Sequence, residues 1–139
     1  MTLSPEQAYE RAHESGDSVI GWEVDRAQRQ ELLLQFEPRY ANVVADHVTL
    51  AAKVKKDAAL PGGVTAEIVG RADDGEGVEA LVVSIGGTTE RPDGSIYHIT
   101  WSLGPGRRAK ESNDVIKARG WQKLELRMPV KLAPRSWSR

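Results

Sequence analysis

Two of the chain's three histidines occupy the same four-residue frame, His47-Val48-Thr49-Leu50 and His98-Ile99-Thr100-Trp101. If each frame is a β-strand, side chains alternate between faces. His47 and Thr49 then point one way, as do His98 and Thr100, while Val48, Leu50, Ile99 and Trp101 point into a core. Histidine titrates near pH ~6.5, so of two imidazoles around one phosphate, one can take a proton while the other gives one. Opening a phosphodiester requires both acts: activation of a water and protonation of the departing oxygen. Threonine hydroxyls roughly 6.5–7 Å along each strand can donate to the non-bridging oxygens as negative charge builds. His47, His98, Thr49 and Thr100 are therefore the candidate catalytic residues. The arrangement needs no metal, no cluster with metal-ligand spacing is visible, and no cofactor is expected. One His-x-Thr strand alone reads as structural; the repetition carries the chemistry. His13 lies in a charged N-terminal stretch and reads as a surface histidine.

Positioning these residues requires the frames to be strands in a common architecture. Ser4-Pro5-Glu6-Gln7 starts a helix with a capping box, expected to run to about residues 13–15 and to stop at Gly16. Residues 18–24 read as a strand, and Asp25 caps a second helix through about Phe36, with Gln28 at the box position. Strands follow at 46–54, 64–71, 78–86 and 96–103, the middle pair joined by the hairpin signal Asp73-Asp74-Gly75-Glu76-Gly77. Residues 108–119 read as a helix stopped by Gly120, 121–132 as a last strand, and 134–139 as a frayed tail. The order suggests an α+β domain of two pseudo-symmetric lobes, each an antiparallel sheet with a packed helix, enclosing a central cleft with one frame on each side. All 139 residues are expected to form this single domain, with 1–17 as an extra N-terminal helical segment.

Composition is that of a globular protein, with 40% hydrophobic and 28% charged residues. No apolar run approaches the roughly 20 residues that span a bilayer, and the N-terminus is too polar for a signal peptide. Absence of cysteine excludes disulfides and thiolate-bound zinc, and a cytoplasmic setting is the natural expectation. The net charge of −1 conceals an asymmetry: residues 1–106 hold 9 Lys/Arg against 17 Asp/Glu, and residues 107–139 hold 10 against 3. The basic third follows the second frame, where an anionic substrate would benefit, although a solvated basic face has the same signature. Gly104-Pro105-Gly106 leads through Arg107-Arg108 into a helix and reads either as a phosphate-binding turn or as a plain connection. Of the tryptophans at 22, 101, 121 and 137, any could stack on a base; Trp101 has core-facing parity, and Trp137 sits in the expected tail.

Paired His-x-Thr frames in two related halves resemble the two-histidine phosphoesterase superfamily. The stretches Ala45-Asp46-His47-Val48-Thr49-Leu50-Ala51-Ala52-Lys53 and His98-Ile99-Thr100-Trp101, with Ala109-Lys110-Glu111-Ser112-Asn113, are similar to the cyclic phosphodiesterase domains of plant- and fungal-type tRNA ligases. The resemblance covers about residues 18–132. It implies metal-independent hydrolysis of a 2′,3′-cyclic phosphate, at an RNA end or on a small cyclic nucleotide, leaving a hydroxyl and a phosphomonoester. His47 and His98 become the acid–base pair, Thr49 and Thr100 the phosphate donors, and Lys53 and Lys110 candidate phosphate or backbone contacts. A chain without kinase or ligase domains would rely on separate repair enzymes. Two alternatives use the same residues: cleavage of 2′–5′ linkages or cyclic oligonucleotide signals, and a non-catalytic module that only holds RNA or nucleotide.

Overall fold

The computed structural model describes residues 2–12 and 15–138. Ser4 caps α1 (Pro5–Arg11), and its backbone N–H is held in turn by the Gln7 side chain, the expected capping box. Residues 13 and 14 lie outside the described residues, and the expectation for His13 with them. The chain then runs through β1 (Ser15–Val24), α2 (Arg26–Gln35), the two-residue β2 (Asn42–Val43), β3 (His47–Val54), β4 (Val64–Asp73), β5 (Val78–Ile85), β6 (His98–Leu103), α3 (Glu111–Arg119) and β7 (Gln122–Ser138). Asp25 caps α2 as expected, but Gln28 does not turn back to it. Its amide instead bridges Pro129 O and Lys131 N of β7, satisfying two strand groups at once.

The expectation of two lobes, each with its own sheet and helix, is overturned. Six long strands form one closed antiparallel barrel in the order β6-β3-β1-β7-β4-β5, with β5 returning to β6, and β2 adds a short flap on β6. Alternation in sequence states which side chains share a face; it does not state which strands are neighbours. Closure gives every long strand two partners, with β3 and β6 meeting at the one pair Val48 and Ile99. β5 shows the result: all eight of its residues are buried, with Leu81, Val83 and Ile85 in the barrel core and Ala80 and Val82 packed outside it with Ile116 of α3.

β7 joins what the sequence reading kept apart. Residues 122–132 pair with β4, and 132–138 pair with β1, so the expected tail at 134–139 is instead the seam of the barrel as far as Ser138. Pro134 suggested an end to the strand, yet it costs no hydrogen bond here. Asp25 N donates to Lys131 O, which makes Trp22 and Pro134 a non-hydrogen-bonded pair. The proline nitrogen therefore faces away from β1. On that side the β4 pairing has already ended at Val64 opposite Leu132.

The barrel interior is filled by Trp22, Trp101, Leu50, Val48, Ile99, Ile20, Leu81 and their neighbours, all fully buried. Both interior indoles find partners, Trp22 at Gly62 O (2.9 Å) and Trp101 at Phe36 O (2.7 Å). β1 and β3 run so close that a Cβ on Gly21 would lie 2.1 Å from Val48 O. Outside the barrel, fully buried Glu79 of β5 accepts from Arg71, Ser102 Oγ (2.6 Å) and Arg39 N (3.0 Å), which ties the 37–41 loop to the wall. No helix among the described residues is long and apolar enough to cross a membrane.

Candidate active site

The two His-Thr frames lie side by side. β3 and β6 pair antiparallel at Val48 and Ile99. One residue to either side, the same register sets His47 across from Thr100 and Thr49 across from His98. Val48, Leu50, Ile99 and Trp101 are fully buried inside the barrel, while His47, Thr49 and His98 are only partly covered and Thr100 is 7% exposed. The four candidate residues thus sit on the outer wall rather than in a cleft between lobes.

All four side chains line one cavity of about 430 Å³, together with Arg91, Lys110, Asn113 and Trp137. The loop between β5 and β6 supplies Arg91, the approach to α3 and its first turn supply Lys110 and Asn113, and the β7 seam supplies Trp137. Lys53 is not brought to this cavity. It is exposed, in a left-handed conformation (φ 57°), and faces a separate depression against α1.

Both imidazoles are anchored through Nδ1. His98 Nδ1 lies 2.9 Å from Ile96 O, an atom that can only accept, so the proton is on Nδ1 and Nε2 is left with a lone pair. Burial, partly offset by that hydrogen bond and reinforced by the positive charge of Arg91 and His47, pushes the His98 imidazole down to about 4. His98 is therefore neutral at neutral pH, the state of a base. His47 Nδ1 lies 3.2 Å from Asp46 Oδ2 and its ring packs on Trp137, centroids 4.4 Å apart. Burial works to raise the Asp46 carboxyl, but the hydrogen bond and charge of His47 and those of Arg26 outweigh it and hold the group below its ordinary value. The ionised carboxylate fixes the His47 ring and balances the imidazolium when that ring carries a proton.

The strand carrying His47 is itself braced. Ala45, fully buried, has φ 45°, a left-handed conformation that costs a non-glycine residue about 1–2 kcal/mol. Arg29 holds it in place by donating to Ala45 O (2.8 Å) and Val44 O (3.0 Å), while Ala45 N donates to Thr100 O. The kink leads directly into Asp46 and His47, of which His47 lines the cavity and Asp46 holds its Nδ1.

The two threonines are not equivalent. Thr49's hydroxyl has no protein partner among the described residues and is free to donate. Thr100 Oγ1 donates to Ala109 O (3.2 Å) and lies 2.9 Å from Ser112 Oγ, so it reaches an anion only by rotating its hydroxyl. Arg91 is nearly buried and held by Ser95 Oγ (2.6 Å), Thr49 O (3.2 Å) and Asp93 (3.4 Å), so that Nε and both terminal nitrogens each donate to a protein acceptor while the side chain lines the cavity. Part of the basic third is engaged elsewhere: Arg107 pairs with Asp74 and Glu111, Arg127 with Glu67, and Arg135 with Glu23. The Gly104–Gly106 turn is a plain connection, docked on Gly77 O and lining no part of the cavity.

Arg91 is not among the residues that the sequence singles out, and Trp137, named there as a possible base stacker, falls in the expected tail. Arg91 stands directly before the Pro92-Asp93-Gly94 turn that leads to the second frame. Trp137 continues the alternation Ala133, Arg135, Trp137 beyond a proline that suggested an end. Among the described residues no group of three or more His, Cys, Asp or Glu side chains could hold a metal ion. No family model matches the chain, and no curated protein or solved structure is significantly similar to it.

Proposed function

We propose that the chain is a phosphodiesterase of the two-histidine type that opens 2′,3′-cyclic phosphates by hydrolysis. The observation that carries this reading is the pair of imidazoles on one anion-sized cavity, each anchored at Nδ1 with Nε2 left for substrate. In this mechanism His98 Nε2 takes a proton from water, whose oxygen bonds to phosphorus. The bond from phosphorus to the ribose 2′ or 3′ oxygen breaks, and His47 Nε2–H, backed by Asp46, protonates that oxygen. Thr49, and Thr100 after hydroxyl rotation, donate to the non-bridging oxygens, and the charges of Arg91 and Lys110 offset the growing negative charge. One water is consumed, and the products are one hydroxyl and one phosphomonoester. The proposal places the enzyme in the cytoplasm, with separate kinase and ligase enzymes consuming its products where the substrate is an RNA end.

The test is turnover of a 2′,3′-cyclic phosphate by wild type, His47→Ala and His98→Ala, with and without EDTA. Each substitution should lower kcat/KM by about 10²–10⁴-fold, and EDTA should have no effect. Full activity in either variant overturns the paired mechanism. A wild type that binds nucleotide without converting any cyclic phosphate would support the non-catalytic alternative instead.

A further inference from the structure

The cavity that holds the histidines has Asn113 in its lining. That residue also lines a second cavity of about 380 Å³, formed by α3, the 93–96 turn and Trp121. The second cavity in turn shares Gly120 and Trp121 with a third, lined by Arg39, Arg71, Asp73 and Arg119, where Arg39 pairs with Asp73 and Arg71 with Glu79. The three cavities are neighbours that share lining residues along α3 and its end. Lys110, Asn113 and Lys117 are spaced three and four residues apart, so they lie on one side of the helix and its approach, over about 10 Å.

The middle cavity has the chemistry of a base-binding site. Its floor is apolar, from Ile96, Ile116 and Trp121, and its rim is polar, from Ser95, Asn113 and Lys117. Trp121 is a rigid platform. The left-handed Gly120 (φ 72°) turns the chain out of α3, and the indole lies against Gly70, where a Cβ would sit 2.1 Å from the ring. The other charge on the wall, Asp93, is already bound by Ser95 N, Ser95 Oγ and Arg91, so it repels a phosphate less than a free carboxylate would.

We infer that this cavity binds the nucleoside preceding the cyclic-phosphate end, stacked on Trp121 with its phosphate near Lys117, which makes the substrate a single-stranded oligoribonucleotide rather than a free mononucleotide. The inference rests on the proposed phosphodiesterase reading for its direction, with the scissile phosphate at the histidines and the chain leading away along α3.

The experiment is fluorescence anisotropy with a labelled tetraribonucleotide ending in a 3′-phosphate, with a mononucleotide 3′-phosphate as competitor. Wild type should bind the tetranucleotide at least about tenfold more tightly than the mononucleotide, in keeping with one stacked base. Trp121→Leu should abolish that advantage and leave mononucleotide binding unchanged. Lys117→Gln alters an exposed residue and keeps the test open should Trp121→Leu not fold; it should make the log–log salt slope shallower by about 0.7 for the tetranucleotide alone. Equal affinity for the two ligands in wild type overturns the inference, as does a wild-type preference retained in both variants. Cyclic mononucleotide turnover by the same proteins reports on the phosphodiesterase reading separately, because it does not use the second cavity.

Discussion

Acidification isolates His98. In the folded chain burial pushes its imidazole down to about 4, from an ordinary value of 6.5. As pH falls below 6.5 the unfolded chain takes up a proton that the folded chain refuses, so stability falls with falling pH. The loss is complete near pH 4, where the folded state protonates too. Each pH unit within that window is worth about 1.4 kcal/mol, so the folded state should lose about 2.5 kcal/mol on going from about pH 7.5 to about pH 4.5. Asp46, Asp73, Asp74, Asp93 and Glu111 are all held below their ordinary values. Their contribution is present above the carboxylate range and disappears only below it, so they add little slope here. Urea unfolding of wild type and His98→Gln across the window should therefore show wild type losing about 2.5 kcal/mol more than the variant. Parallel curves for the two proteins would refute the claim that the ring is held neutral. The same origin predicts that the acid limb of kcat/KM lies near the lower value rather than near 6.5.

Gly21→Ala should destabilise the fold by at least about 2 kcal/mol, because its Cβ meets the Val48 carbonyl on the strand that carries His47; an unchanged urea midpoint would contradict this contact. Arg71→Ala should cost about 3–5 kcal/mol by leaving Glu79 buried without its main partner, and adding Glu79→Gln should recover much of the loss, read as the coupling in a double-mutant cycle. Trp137→Ala removes the ring that restrains His47; kcat on a cyclic phosphate should fall about tenfold or more with a smaller change in KM, and an unaltered kcat would mean the stacking does not orient the acid.

The two frames were legible because strand alternation is a local property: His47 and Thr49 are only partly covered and Val48 and Leu50 fully buried, as a period of two demands. Helix starts were legible for the same reason, since Ser4 and Asp25 cap with groups three residues away. Neighbour relations between strands are not local. Nothing in residues 121–132 or 18–24 announces that one strand of 17 residues serves both β4 and β1. Pro134 has no N–H to donate, and only the register shows that no acceptor waits for one. Lys53 and Lys110 illustrate the limit at the site. Both follow a His-Thr frame, but Lys53 occupies a left-handed kink that turns it toward α1, while Lys110 sits where the chain enters α3 beside the cavity.

The seam between β1 and β7 joins residues more than a hundred positions apart. Contacts of such sequence separation form slowly, because the entropy of closing the loop precedes any reward for closing it. The His47 imidazole, on a strand near the beginning, acquires its Trp137 partner only when this last pairing zips. On the proposed phosphodiesterase reading, recovery of turnover during refolding should therefore lag the gain of sheet signal in the far ultraviolet, because the His47–Trp137 contact requires the β1–β7 pairing.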